Sequence, residues 1–125
     1  MSQAIRDFEK SFIATAALAT EFVIVKVDVS NDQSVVIAAA STDPIVGVLQ
    51  NKPAAGAAAL VRWLGSTKVI AGGTITRGDR VTSDGSGHAV TTTTNKDVQL
   101  GIALSSAVSG DIVEVQLGAF GKQSF

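Results

Sequence analysis

Gly101-Ile102-Ala103 is followed, nine residues after its glycine, by Gly110 and then by Ile112-Val113-Glu114-Val115-Gln116-Leu117-Gly118. The same arrangement stands earlier in the chain: Gly47-Val48-Leu49, then Gly56 nine residues on, then Leu60-Val61-Arg62-Trp63-Leu64-Gly65. Each copy reads as strand, glycine-containing loop, strand and terminating glycine, since glycine interrupts strands and serves turns. A duplicated hairpin is expected. Gly78-Asp79-Arg80-Val81 and Gly110-Asp111-Ile112-Val113 repeat a turn in the same way. Repetition of this kind points to scaffold geometry, not to a unique reactive site.

Outward from these hairpins the chain keeps a β signature. Val23, Val25, Val27 and Val29 alternate with Ile24, Lys26 and Asp28, the period of a strand with one wetter face. Short runs over Phe22–Val29, Val35–Ala39, Ile45–Gln50, Ala58–Leu64, Thr67–Ala71, Arg80–Ser83, Ala89–Thr93, Val98–Leu104 and Ile112–Leu117 are separated by turn-forming clusters. Asp84-Gly85, between Val81 and Val90, is the strongest hairpin signal. The expected fold class is all-β: a small barrel or a sandwich, without a parallel sheet built from alternating helices and strands. The first residues differ. Ile5, Phe8 and Phe12 have helical spacing, yet Ser2 opens no capping box, so a short helix and an extended arm both fit. The expected organisation is an N-terminal arm over 1–21, a β-barrel body over 22–118 and a C-terminal tail over 119–125.

Composition narrows the function. The chain has 125 residues, enough for one domain, with 10 Lys plus Arg against 11 Asp plus Glu and a net charge of −1. That balance lacks the basic footprint of a nucleic-acid binder. Mean hydropathy is +0.33, but the apolar residues are scattered, and no spanning helix or secretory signal is expected. Cysteine is absent, which excludes disulfides, thiolate metal sites and a Cys nucleophile. His88 is the single histidine and lies beside the Asp84-Gly85-Ser86-Gly87 turn, without recognisable metal-ligand spacing. Arg77-Gly78-Asp79 spells an adhesion tripeptide but belongs to the repeated turn. Neither a phosphate-binding loop nor a nucleophile elbow is present. No enzyme, cofactor or metal is expected.

The aromatic residues are placed unevenly. Phe8, Phe12 and Phe22 fall in the first 22 residues, Phe120 and Phe125 in the last six, and Trp63 alone lies between. Large aromatics dominate interface energetics, so Ile5, Phe8, Phe12, Phe22, Trp63, Phe120 and Phe125 are the candidate interaction residues.

Several further segments occur in a familiar order: Gly47-Val48-Leu49-Gln50-Asn51, Ala54-Ala55-Gly56, Lys68-Val69, Ala71-Gly72-Gly73, Gly78-Asp79-Arg80-Val81-Thr82-Ser83-Asp84, Gly101-Ile102-Ala103-Leu104 and Gly110-Asp111-Ile112-Val113. Together, over roughly Asp43–Gly118, they resemble the small tailed-phage proteins that decorate the capsid exterior, the head-stabilising or cement proteins. The resemblance implies a compact β-barrel or β-tulip-like body forming a homotrimer at three-fold and quasi-three-fold positions. There it would bridge major capsid subunits on the outer surface of the virion, after synthesis in the host cytoplasm, with no nucleic-acid or membrane partner. A β-barrel module for a ligand or host surface is the alternative, and would use Trp63.

Overall fold

The computed structural model describes residues 9–92 and 97–122, with side chains described as far as Gly118. The described residues form ten strands and no helix: β1 (Glu9–Ala14), β2 (Ile24–Val27), β3 (Ser34–Ile37), β4 (Ile45–Leu49), β5 (Ala58–Arg62), β6 (Gly65–Ile70), β7 (Arg80–Ser83), β8 (Ala89–Thr91), β9 (Val98–Ala103) and β10 (Ile112–Lys122). The fold is all-β, as expected. β1–β5 close into a barrel in the order β1-β3-β2-β4-β5, and β6–β10 form a second sheet in the order β6-β10-β9-β7-β8. Each of the nine apolar runs read from the sequence meets one strand, although β3 begins one residue and β6 two residues ahead of its run. β1 lies within the segment expected as an arm, and β10 runs past residue 118 to Lys122.

The two sheets are the same unit used twice, strand for strand. In the first, Val48 pairs with Arg62 and Leu49 with Val61; in the second, Ile102 pairs with Gln116 and Ala103 with Val115. Val25 faces Gly47 as Val81 faces Gly101, and Ile13 faces Ala58 as Ile70 faces Ile112. Hairpins β2–β3 and β7–β8 also match, with Val25 opposite Ile37 and Val81 opposite Thr91. The repeated glycines explain why the echo is visible in the sequence. A β-carbon on Gly47 would run into the carbonyl oxygen of Arg62 and the Val61 side chain; on Gly101 it would meet the carbonyl of Gln116 and the Val115 side chain. Each glycine lets two strands of its unit cross closely.

Alternation within the strands fills two cores of matching design. The first unit encloses Ala14, Val25, Val35, Leu49, Ala59 and Val61, with Phe12 and Val46 partly buried at one end. The second encloses Ala71, Val81, Ala89, Ala103, Val113 and Val115 at the corresponding positions, with Val69 and Leu100 at the same end. Each such buried Val or Leu contributes roughly 1.5–3 kcal/mol over leaving it in water. The second core also takes in Ile24, Ala38, Ile45 and Val48 from the first unit, so the two units share one continuous interior face.

The units differ in how they close. In the first, β1 and β3 pair in parallel, with Ile13 N–H donating to the Gln33 carbonyl at 2.7 Å. In the second, closure is reduced to one parallel bridge between Ala71 and Ala89. The groups equivalent to Ile13 N–H and Gln33 C=O are turned instead to the first unit: Ile70 N–H donates to the Phe22 carbonyl at 2.9 Å, and the Gly87 carbonyl accepts from Ile24 N–H at 2.7 Å. Residues 22–24 are therefore wedged into the gap where the second barrel would have sealed. The units are also linked where Ser41 Oγ donates to Asp97 Oδ1 at 2.7 Å and Val98 N–H donates to the Ser41 carbonyl at 2.7 Å.

Candidate functional site

β1 and β5 bring together two aromatics that are far apart in the chain. β1 runs antiparallel to β5, so Lys10 lies opposite Val61 and Phe12 opposite Ala59, on the inward side of the strands. Trp63 follows β5 directly. The result is an open end of the first barrel, a cleft of about 370 Å³ lined by Lys10, Phe12, Ile45, Val46 and Trp63. Trp63 stays 39% exposed on its rim, and Lys10 Nζ lies 5.8 Å from the centre of the Phe12 ring, within cation–π range. Glu9 fixes this corner: its Oε2 accepts from Arg62 Nε at 2.9 Å, while Arg62 Nη1 reaches the Ser66 carbonyl at 3.0 Å.

A second cleft, about 320 Å³, lies at the seam between the units and is lined by Phe22, Gln50, Arg62, Ser66, Thr67, Lys68 and Glu114. Phe22 stands here in a left-handed backbone conformation, φ 63°, although it carries a bulky side chain. Its N–H donates to the Leu49 carbonyl at 2.8 Å, the role that Gly78 N–H plays toward Ala103 in the second unit, where φ is 91°. Phenylalanine thus occupies a turn position that is glycine in the other copy.

Of the seven candidate interaction residues, the fold joins Phe12 and Trp63 and puts Phe22 at the separate seam cleft. Phe120 belongs to β10. Ile5, Phe8 and Phe125 lie outside the described residues. Exposed aliphatic residues that the sequence reading did not single out stand on both units, Ile13, Val27 and Ile37 on the first and Ile102, Leu104 and Ile112 on the second. The signal was present in alternation along β9 and β10, which separates Ile102 from the buried Ala103 and Ile112 from Val113.

Among the residues that could have carried chemistry, the backbone of His88 and the carboxylate of Asp79 have local duties. His88 N–H donates to Asp84 Oδ1 at 2.9 Å, and its carbonyl accepts from Asp84 N–H, closing the β7–β8 hairpin. In Arg77-Gly78-Asp79 the carboxylate is engaged within the protein, accepting from Thr76 N–H at 3.0 Å and from Thr91 Oγ1 at 2.9 Å. No group of three or more metal-ligating side chains occurs among the described residues. Two carboxylates of the first unit are held below their ordinary range. Asp28 accepts from the Thr15 hydroxyl, Ser30 N–H and the Asn31 amide, and these lower its pKa. Burial alone would raise Asp43, but Ala39 N–H, the Lys26 ammonium at 3.2 Å and Ala40 N–H outweigh it, and the net shift is downward.

This geometry defines a double β-unit protein whose first barrel ends in an open, aromatic-rimmed cleft. A sequence model described as phage cement protein matches residues 13–117, most of the chain, and the protein belongs to that family. It is a family of structural, capsid-associated proteins. Among solved structures, the fold is similar to the crystal structure of the head fiber gp8.5 N base in bacteriophage phi29. The match has a TM-score of 0.71 and 22% identity, and covers 94% of this chain and 98% of that one. No curated protein sequence matches.

Proposed function

We propose that the protein binds the outside of an assembled phage capsid as a homotrimer and stabilises the shell by bridging major capsid subunits. The observation that carries this reading is the phage cement protein match across residues 13–117. The exposed aromatic cleft of Phe12 and Trp63 supports it physically, as an anchor for capsid protein or for a sister copy, since a large aromatic on a groove rim is the usual anchor of an interface. Binding only the assembled shell stabilises that shell by linkage, and three modest contacts joined in one oligomer act with avidity beyond any single contact. Candidate anchors are Phe12, Phe22 and Trp63 on the body, with Ile5 and Phe8 ahead of β1 and Phe120 and Phe125 at the other end.

The test is co-sedimentation with DNA-filled heads that lack this protein. The full chain, a chain beginning at Glu9, and a Trp63→Ala chain are compared. Saturable binding by the full chain is the expected result. Its loss on removing residues 1–8 assigns an anchor to Ile5 or Phe8, whereas its loss in Trp63→Ala assigns one to the cleft, facing capsid protein where the variant still forms the parent's oligomer and a sister copy where it does not. No binding by the folded full chain would defeat the reading.

A further inference from the structure

We infer that copies of this chain associate head to tail, the Ile102–Leu104 face of one copy's second unit covering the Phe12–Trp63 cleft of the next copy's first unit. The inference rests on the homo-oligomer of the preceding section only for the closing of the array into a ring of three. The contact itself is argued from the two units. At one end of the second unit, Val69, Leu100 and Leu117 are 0–4% exposed, covered within the chain by the Ile24, Ala38, Ile45 and Val48 face of the first unit. The same three positions in the first unit are Phe12, Val46 and Trp63, and these are left open as the cleft.

The covering face has a counterpart in the second unit, where Arg80, Thr92, Gln99 and Ile102 stand at the positions of Ile24, Ala38, Ile45 and Val48, so that Ile102 is the apolar member of that set. Val48 of the first unit is fully buried against the second, while its counterpart Ile102 is 41% exposed. Gln50 of the first unit donates from Nε2 to Thr67 Oγ1 of the second at 2.9 Å. The counterparts of that pair are Leu104, 49% exposed, and Lys10 on the open cleft. Ile112, 46% exposed on the neighbouring strand β10, widens the same face. One copy therefore displays an uncovered cleft on its first unit and, on its second, an exposed face of Ile102, Leu104 and Ile112 beside Arg80, and a second copy supplies what each lacks. Such a contact joins different patches on the two partners, so it is heterologous, and closes into a ring or continues as an array.

A heterologous contact has a signature that a two-fold contact lacks. Trp63→Glu blocks the cleft and leaves the face intact; Ile102→Glu blocks the face and leaves the cleft intact. Both sites are partly exposed, and circular dichroism and thermal melting establish that each variant is folded. The milder pair Trp63→Ser and Leu104→Ser replaces them if either charge change prevents folding. Sedimentation velocity is run on the full chain without capsid. The expected result is an oligomer for the parent protein, a single chain of 12.7 kDa for each variant, and a species of two chains, and no larger, for their equimolar mixture.

A parent protein that stays a single chain at every concentration overturns the inference. So does either variant assembling as the parent does, or a mixture that remains single chains. Because capsid is absent, these outcomes are independent of head binding, and a failure of the co-sedimentation above leaves them unaffected.

Discussion

The two halves of this molecule share a topology and a strand register but are finished differently. The first barrel is sealed by its own β1–β3 pairing, whereas the second is held open by residues 22–24 of the first, which take the Ile70 N–H and the Gly87 carbonyl. The first unit's open end carries Phe12, Val46 and Trp63; the second unit's corresponding end is covered. The same backbone plan thus becomes an open cleft in one half and a core in the other. What decides between them is whether a neighbouring unit lies over that end.

The largest expected effect probes the equivalence directly. Gly101→Val and Gly47→Val each drive side-chain atoms into a crossing strand, and each is expected to cost about 3 kcal/mol or more. Urea unfolding followed by circular dichroism measures both, and the two costs should agree within about 1 kcal/mol. A large cost at one glycine alone would break the comparison.

Gly87→Ala tests the wedge. A β-carbon there lies 2.7 Å from Ile37 Cγ2 and 2.9 Å from the Ile24 carbonyl, at a left-handed φ of 76°. The expected loss is about 2 kcal/mol, with amide exchange accelerated in β6 and β8 before β1–β5. Equal acceleration in both units would show that the seam does not separate them.

Acid sensitivity should lie in the first unit. The pKa of Asp43 is lowered from its ordinary value of 3.8, so its stabilising contribution is complete above that value and is lost as pH falls through the lower folded value. Asp43→Asn is expected to cost about 1 kcal/mol at neutral pH, from weakened charge-assisted hydrogen bonds, and to flatten the stability curve below about pH 4. Thermal melts from neutral to acid pH measure this; an unchanged acid limb would remove Asp43 as its source.

Phe22→Gly should have the smallest effect. Relief of the left-handed backbone, about 1 kcal/mol, offsets the loss of a half-buried ring, leaving a net change within about 1 kcal/mol. A loss well beyond that in the urea midpoint would show that the ring holds the seam together.

Much of the fold was legible because glycines and alternating apolar residues record strand crossings locally. β1 was not. Glu9-Lys10-Ser11-Phe12-Ile13-Ala14 alternates weakly, and the Ile5, Phe8 and Phe12 spacing suggested a helix or an arm. Its strand state comes from pairing with β5, a long-range contact that no local pattern encodes. The cleft was half legible for the same reason. Phe12 and Trp63 were recognised singly as anchors, but only the β1–β5 register brings them together. The counterpart face at Ile102 and Leu104 escaped notice because aliphatic residues in a β-rich chain read first as core.

The wedge has a further consequence, for the order in which the molecule is built. β1–β5 find their ladder partners among themselves, while the gap between β6 and β8 is filled by a segment made more than forty residues earlier in the chain. Synthesis from the N-terminus therefore completes the self-sealed unit first and presents it as a ready template. The second unit forms against that template, so the direction of translation and the dependence of one half on the other run the same way.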